Sequence, residues 1–185
     1  MSQIPPYDLE WKWGNAFEVS TSAVGGRFMV KGASGDAKGA TNDPVAAAAG
    51  IGLVLMSTVA THVTVRPYID MSWQYIVEAA GWMGNAAARG GIDAAAVLDD
   101  KFVAGTRRTT EFSASRGSGR HGADGVGVAW VPDIELSFGM AAGRFYIVNF
   151  GAWVECENTS GFGAANGMCR MEGLVRFIVV EKTLF

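Results

Sequence analysis

Apolar and polar residues alternate with a period of two along most of this chain, which is the pattern of strands with one buried face. In the segment LEWKWG, for example, Leu9, Trp11 and Trp13 alternate with charged residues. The segment HVTVRPYIDMSWQYIV is rich in the β-branched and aromatic residues that fit a pleated sheet. No segment shows a convincing helical period. The pattern therefore predicts an all-β fold.

Glycine contributes 25 of the 185 residues and proline only 5, a composition that indicates many chain reversals within a packed protein. The length suits one domain, residues 1–185. We expect an antiparallel β-sandwich of the jelly-roll type with roughly eight to ten strands. Segments rich in Gly, Asn, Asp and Ser predict flexible loops at about 34–44, 115–125 and 157–168.

In two segments the sequence pattern is compatible with either a strand or a helix. Residues 45–65 carry no formal charge and are long enough to span a bilayer, but they are weakly hydrophobic and lack a Lys/Arg asymmetry, so no membrane span is expected. A short alanine helix and a fully buried strand remain as alternatives there. In GGIDAAAVLDDKFVAG, two strands joined by a turn at Asp99 and Asp100 are favoured over a helix. A strand through Pro67 should lie at an edge or be interrupted there.

The two cysteines, Cys156 and Cys169, organise the carboxyl-terminal part of the prediction. An antiparallel hairpin of about 145–156 with 169–180, with the two cysteines opposite each other, places apolar or small residues on one face. Their spacing excludes a Cys-x-x-Cys redox motif, and two cysteines fall short of a zinc site. Adjacent thiols are therefore predicted, either as a disulfide or as a reduced pair, with the reduced pair favoured.

The second face of that hairpin carries both charged and apolar residues. It would pair Glu155 with Arg170, an arrangement that stabilises an antiparallel ladder. It also carries more apolar area than a strand exposes to water, so a second sheet or another subunit should cover it. The predicted oligomer surface comprises Phe145, Ile147, Trp153, Leu174 and Ile178.

Exposed tryptophans on one strand face can stack on sugar rings, and arginines can bind an anionic group with their planar fork. The candidate ligand-binding residues on these grounds are Trp11, Trp13, Arg107, Arg108, Arg116, Arg120 and His121. The simpler alternative for the arginines is a solvated hairpin and loop. The net charge of −3 gives no reason to expect nucleic acid as a partner.

No motif of a hydrolase, nucleotide-binding protein or metalloenzyme occurs, and the two histidines fall in different segments. We therefore expect no catalytic residues, no cofactor and no metal. The sequence favours a non-catalytic interaction or structural protein that forms homo-oligomers through apolar sheet surface and presents Gly-rich loops. A lectin-like carbohydrate-binding protein, with a glycan or anionic ligand, is the first alternative, and a small β-barrel enzyme is the second. The amino terminus does not have the pattern of a signal peptide, which predicts synthesis in the cytoplasm and leaves open later assembly into, or export with, a larger particle.

Overall fold

A computed structural model describes residues 1–35, 44–79, 84–117, 121–131, 134–159 and 165–184. Within these ranges the chain forms 12 strands. The strands build two antiparallel sheets that pack face to face, and no helix occurs in the described ranges. The prediction of an all-β sandwich is confirmed, with more strands than expected.

The first sheet, sheet A, has seven strands. They are β1 (Ser2–Gln3), β3 (Glu18–Ser22), β4 (Arg27–Gly35), β6 (Thr61–Ala79), β9 (His121–Val131), β10 (Leu136–Met140) and β12 (Ala165–Leu184). The long strands β6 and β12 pair with each other at the centre. β10 and β9 follow one another along the far side of β6, while β1 and β4 share the far side of β12 and β3 pairs with β4.

The second sheet, sheet B, has five strands in the order β2, β5, β11, β7, β8. Their bounds are β2 (Leu9–Gly14), β5 (Val45–Met56), β7 (Asn85–Leu98), β8 (Lys101–Arg116) and β11 (Phe145–Thr159). β7 and β8 are joined by a two-residue turn at Asp99 and Asp100, whose φ angles are 49° and 60°. Positive φ at both positions matches the right-handed twist of the flanking strands. The predicted strand, turn and strand are thus confirmed here.

The core lies between the two sheets and takes alternate residues from each central strand. β7 supplies small inward residues, which leave room for larger ones from sheet A. A Cβ at Gly90 would lie 2.7 Å from the Met171 sulfur of β12 and 2.7 Å from the Phe112 ring of β8. Full burial of large side chains such as Phe28 and Phe150 contributes about 1.5–3 kcal/mol each.

The uncharged segment 45–65 contributes to strands β5 and β6. Its alanines at 47 and 49 face the core, so the fully buried strand is the correct alternative. The described residues contain no helix that is long and apolar enough to cross a membrane.

Pro67 lies inside β6 at a local break in the sheet. On one side of β6, pairing with β10 ends at Val65 and pairing with β9 begins at Ile69. On the other side, the β12 register shifts between Val175 and Phe177. A residue without an N–H donor is tolerated at such a place, because the ladder is already interrupted there. β6 itself continues through Pro67, which pairs with Ile178, so the strand is not broken there; Pro67 lies at an edge only on the side between β10 and β9.

The predicted carboxyl-terminal hairpin, 145–156 with 169–180, is wrong. β11 pairs with β5 and β7 in sheet B, whereas β12 pairs with β4 and β6 in sheet A. The alternation that suggested a hairpin shows which face of each strand is buried, and two strands facing each other from opposite sheets satisfy it equally well. Glu155 accordingly forms an ion pair with Arg89 of β7 rather than with Arg170.

The strands also extend further than the loop predictions allowed. β8 runs to Arg116 and β9 begins at His121, so much of the predicted loop 115–125 is strand. β11 continues to Thr159 and β12 begins at Ala165, which shortens the predicted loop 157–168. Most of the predicted loop 34–44 lies outside the described residues.

Candidate interaction surface

The outer face of sheet B ends in an apolar cluster close to the β7–β8 turn. One row of cross-strand neighbours on this face runs through Phe102, Val97, Ile147 and Val54. The adjacent row pairs Phe145 with Met56. We define the exposed members of these rows as the apolar patch: Val54, Met56, Phe102, Phe145 and Ile147.

Aromatic side chains dominate the exposed area of the apolar patch. Phe102 is 71% exposed and Phe145 is 62% exposed. Single exposed apolar residues are normal on a protein surface, whereas a contiguous group of them makes this end of the face a candidate interaction surface. The members belong to β5, β8 and β11 of one sheet, and the half-buried Val97 of β7 lies between Phe102 and Ile147, so the backbone ladder holds them in fixed relative positions.

Charged groups of both signs surround the apolar patch. Arg144 forms an ion pair with Asp99 of the β7–β8 turn, and Lys101 is exposed next to that turn. On the β5 side, the Asp8 carboxylate accepts a hydrogen bond of 2.7 Å from the backbone N–H of Val54. A rim with both signs can complement itself when two copies meet about a twofold axis.

The middle of the same face is built on glycine. Gly50 of β5 pairs with Gly151 of β11, and the Trp11 side chain lies over them. A Cβ at Gly151 would approach the Trp11 ring to 2.6 Å. The Trp11 Nε1–H donates a hydrogen bond of 3.2 Å to the backbone oxygen of Ile51, so the indole is held flat against the sheet.

Trp153 lies one row further along, between Ala48 of β5 and Gly91 of β7. It is only 3% exposed. Beyond it the face becomes charged, since Arg89 forms ion pairs with Glu155 at 2.9 Å and with Glu157 at 3.0 Å. The apolar patch is therefore confined to one end of the face.

The outer face of sheet A has a different composition. Arg66 forms ion pairs with Glu135 at 2.8 Å and with Glu181 at 2.7 Å, which links three strands or strand ends. Arg176 pairs with Asp70 at 2.5 Å. Arg170 pairs with Glu172 along β12, and the rings of Tyr68 and Phe177 stack at 4.3 Å between centroids. Exposed apolar residues on this face include Val126 and Val128 of β9 and Ile76 beside them on β6.

The residues of the predicted oligomer surface are not all together. Phe145 and Ile147 belong to the apolar patch. Trp153 shares their face but is buried within the chain. Leu174 is half-buried on the outer face of sheet A, and Ile178 is fully buried in the core, because the register shift after Val175 changes which residues of β12 face inward. Only two of the five residues thus expose apolar area on the outer face of sheet B.

Of the two predicted sugar-stacking tryptophans, only Trp13 is well exposed, at 59%. It lines a shallow cleft of about 450 Å³ together with Lys12, Phe17 and Glu18. The Lys31 ammonium lies 5.1 Å from the centre of the Phe17 ring, a cation–π distance. Trp11, in contrast, is half-buried and its indole N–H is already bonded.

The predicted basic cluster is described only in part. Arg107 and Arg108 lie in β8 and His121 begins β9, but their side chains are outside the described part of the chain, as is all of Arg120. The Arg116 guanidinium donates a hydrogen bond of 2.8 Å to the backbone oxygen of Ser115. The proposed anion contact of this cluster stays a prediction.

The two cysteines meet, although in a different way from the one predicted. Cys156 of β11 and Cys169 of β12 point inward from opposite sheets, and their Sγ atoms are 2.9 Å apart. Both are free thiols and both are fully buried. The hydrogen bond with Cys156 and burial raise the pKa of the Cys169 thiol well above its usual range.

A histidine and two hydroxyl groups lie together on the outer face of sheet A. The His62 Nε2 atom lies 2.8 Å from the Ser137 hydroxyl, which also lies 3.1 Å from the Thr64 hydroxyl. This group is exposed on the outer face of sheet A, whereas a catalytic nucleophile and base normally line a cleft that excludes water. The described residues hold no cluster of His, Cys, Asp or Glu suited to a metal ion.

Sequence reasoning missed Val54, Met56 and Phe102 of the apolar patch. Each occupies an outward position of a strand whose alternate residues face the core. The sequence does show apolar residues at both the inward and the outward positions of β5 and β8. Only the order of the strands in the sheet shows that the outward ones lie near each other. No protein-family model matches the chain, and no curated protein matches it either.

Proposed function

We propose that this protein is a non-catalytic structural or interaction protein that self-associates through the apolar patch on the outer face of sheet B. One observation carries the proposal: the exposed Phe145 and Met56 pair across β11 and β5, and the exposed Phe102 of β8 extends the same apolar surface through Val97 and Ile147. Burying such a surface against a second copy removes apolar area from water, at about 25 cal/mol for each Å². Aromatic residues and methionine are also the types enriched at protein interfaces.

The rim supports a second copy of this chain as the partner. A twofold contact brings the same patch of both copies together, so each charge at the rim meets charges from the other copy's rim. Asp8 and Asp99 on one copy and Lys101 and Arg144 on the other supply both signs for such pairing. Mixed rims of this kind favour defined pairing over unspecific aggregation.

Size-exclusion chromatography with light scattering at micromolar concentration tests the proposal. The double variant Phe102→Lys with Phe145→Lys places two like charges in the apolar patch, and we expect it to be monomeric where the unsubstituted protein is a dimer or larger. The matched control is Val126→Lys with Val128→Lys, which changes two residues on sheet A that are 81% and 80% exposed. It should keep the mass of the unsubstituted protein.

Two results would refute the proposal. One is an unsubstituted protein that stays monomeric across the concentration range. The other is dissociation caused by the sheet A control and not by the patch variant. Circular dichroism of each variant verifies that the fold is retained, which is expected because all four positions are exposed.

Glycan binding is a second candidate function, favoured by the exposed Trp13 beside the cleft with Lys12 and Glu18. An indole face with neighbouring polar groups is suited to stacking on a sugar ring while hydrogen bonds fix its hydroxyls. A glycan array read with the unsubstituted protein and with Trp13→Ala tests it. Binding that disappears in Trp13→Ala supports this candidate, and an array without binding rejects it.

A further inference from the structure

Cys156 and Cys169 connect the two sheets at a point where these have no backbone hydrogen bonds to each other. β11 takes its ladder partners from sheet B and β12 takes its partners from sheet A. The two Sγ atoms nevertheless lie 2.9 Å apart across the core. Gly32 of β4 leaves the room for this contact, because a Cβ at that position would lie 3.0 Å from the Cys156 sulfur.

We propose that Cys156 and Cys169 are a site of disulfide formation that joins the two sheets covalently, and that the redox state of the pair is fixed when the sheets close during folding. The oxidant class is a small disulfide such as oxidised glutathione. One cysteine thiolate attacks it, forms a mixed disulfide and releases one glutathione thiolate. The second cysteine then attacks the mixed disulfide, forms the bond between residues 156 and 169, and releases the second glutathione. The two protons of the cysteines end on the two glutathione thiols.

Burial explains why the redox state is fixed at folding. Both thiols are fully buried in the closed sandwich, so neither a small disulfide nor a reductant reaches them. The raised pKa of Cys169 keeps that thiol protonated, and only the thiolate reacts. In the unfolded chain both obstacles are absent. A pair that closes reduced stays reduced, and a pair that closes oxidised stays oxidised.

The bond also has a mechanical consequence. It links residues that belong to different ladders, in addition to the thiol hydrogen bond of 3.9 Å from Cys169 to the backbone oxygen of Glu155. A crosslink between residues 156 and 169 restricts the unfolded ensemble, and it prevents the two sheets from separating at this end of the sandwich. The oxidised form should therefore unfold at a higher urea concentration than the reduced form.

The experiment refolds the purified protein from urea in oxidised or in reduced glutathione, and then transfers each folded sample into the opposite buffer. Intact mass after alkylation in urea reads the redox state at each step. We expect the sample folded under oxidising conditions to lack the mass of two hydrogens and to take up no alkyl groups, before and after transfer. The sample folded under reducing conditions should take up two alkyl groups before and after transfer. Native alkylation of that sample should be slow.

The double variant Cys156→Ala with Cys169→Ala serves as the control, because it has no thiol left to react with glutathione. Its urea midpoint should not depend on the refolding buffer, whereas the midpoint of the unsubstituted protein should be higher after oxidative refolding. Two free thiols after oxidative refolding would overturn the proposal of a bond. Rapid interconversion of the folded samples after transfer would overturn the proposal that folding fixes the redox state. The mass measurements on the unsubstituted protein decide both points even if an alanine variant fails to fold.

Discussion

The two outer faces of the sandwich obey the same alternation of inward and outward residues, yet they present different chemistry. On sheet A the outward positions hold ion pairs such as Arg66 with Glu135 and Arg176 with Asp70. Among the described residues, the exposed apolar ones on that face are the aliphatic Ile76, Val126 and Val128 rather than aromatic residues. On sheet B the outward positions hold glycines covered by tryptophan in the middle, the apolar patch at one end and the ion pairs of Arg89 at the other. A face built from ion pairs is stable in water alone, whereas one that exposes contiguous aromatic residues gains free energy when it is covered.

The two faces also differ in how closely their side chains are fitted. On sheet B the Trp11 ring lies on Gly50 and Gly151, so the backbone itself is the contact surface. On sheet A the side chains form ion pairs with one another above the ladder and are partly exposed. Substitution should therefore be costly on the fitted part of sheet B and nearly neutral on sheet A.

The largest loss of stability is expected from Gly151→Val. The new side chain would collide with the Trp11 ring and with the backbone oxygen of Ala49, which cannot move without disrupting β5. We expect a loss of about 2–3 kcal/mol in the free energy of unfolding, measured by urea denaturation. The matched change on sheet A is Ser72→Val, at an exposed outward position of β6, with an effect within about 0.5 kcal/mol. Equal losses in both variants would remove the proposed difference between the faces.

Tyr7 tests the interior of the sandwich rather than either outer face. It is buried, its hydroxyl donates a 3.3 Å hydrogen bond to the backbone oxygen of Val175, and burial raises its pKa from 10.0 to about 12. The folded chain favours the neutral phenol of Tyr7 over the phenolate. The stability that the neutral phenol contributes is therefore complete below pH 10 and is lost as the pH rises through about 12.

Tyr7→Phe removes this titration. The stability advantage of the unsubstituted protein over the variant should therefore shrink as the pH is raised from 10.0 to about 12, the usual and the raised pKa of the tyrosine. Urea denaturation of both proteins at a series of pH values measures it. Parallel stability curves would show that Tyr7 does not titrate differently in the folded chain.

The smallest loss of stability is expected from removing an ion pair of sheet A. Asp70→Asn removes the partner of Arg176, whose side chain is more than half exposed. The loss should be about 0.2–1 kcal/mol at low salt and should nearly vanish at about 1 M salt, because exposed pairs are weak and screened. A larger or salt-independent loss would mean that the pair also fixes the backbone at the adjacent register shift.

Sequence patterns predicted the class of fold because inward and outward positions are set by local alternation, as in the Asp99–Asp100 turn with its flanking strands. They did not predict which strands are neighbours. β11 and β12 follow each other in the chain and carry matching patterns, but they belong to opposite sheets. The contact between Cys156 and Cys169 was therefore anticipated for the wrong reason, since the two residues face each other through the core and not along a ladder.

The residues of the apolar patch were likewise predicted only as far as the local pattern allows. Phe145 and Ile147 were identified as surplus apolar residues on an outward face, which local pattern reveals. Trp153 was grouped with them on the same evidence, but its flanking neighbours Ala48 and Gly91 are small and its side chain is buried. Phe102 joins the patch only through the order of β8, β7 and β11. Strand order depends on contacts distant in sequence, and no local signal encodes it.

The central claim is that the protein associates through the outer face of sheet B and not of sheet A. Oxidative footprinting tests it directly, because Met56 lies in the apolar patch and Met168 lies on the outer face of sheet A, and both thioethers oxidise to sulfoxides when accessible. Mass spectrometry of peptides from dilute and concentrated samples gives the two rates. Self-association through the apolar patch predicts slower oxidation of Met56 in the concentrated sample and an unchanged rate for Met168. An unchanged rate for Met56, or protection of Met168 alone, would contradict the account.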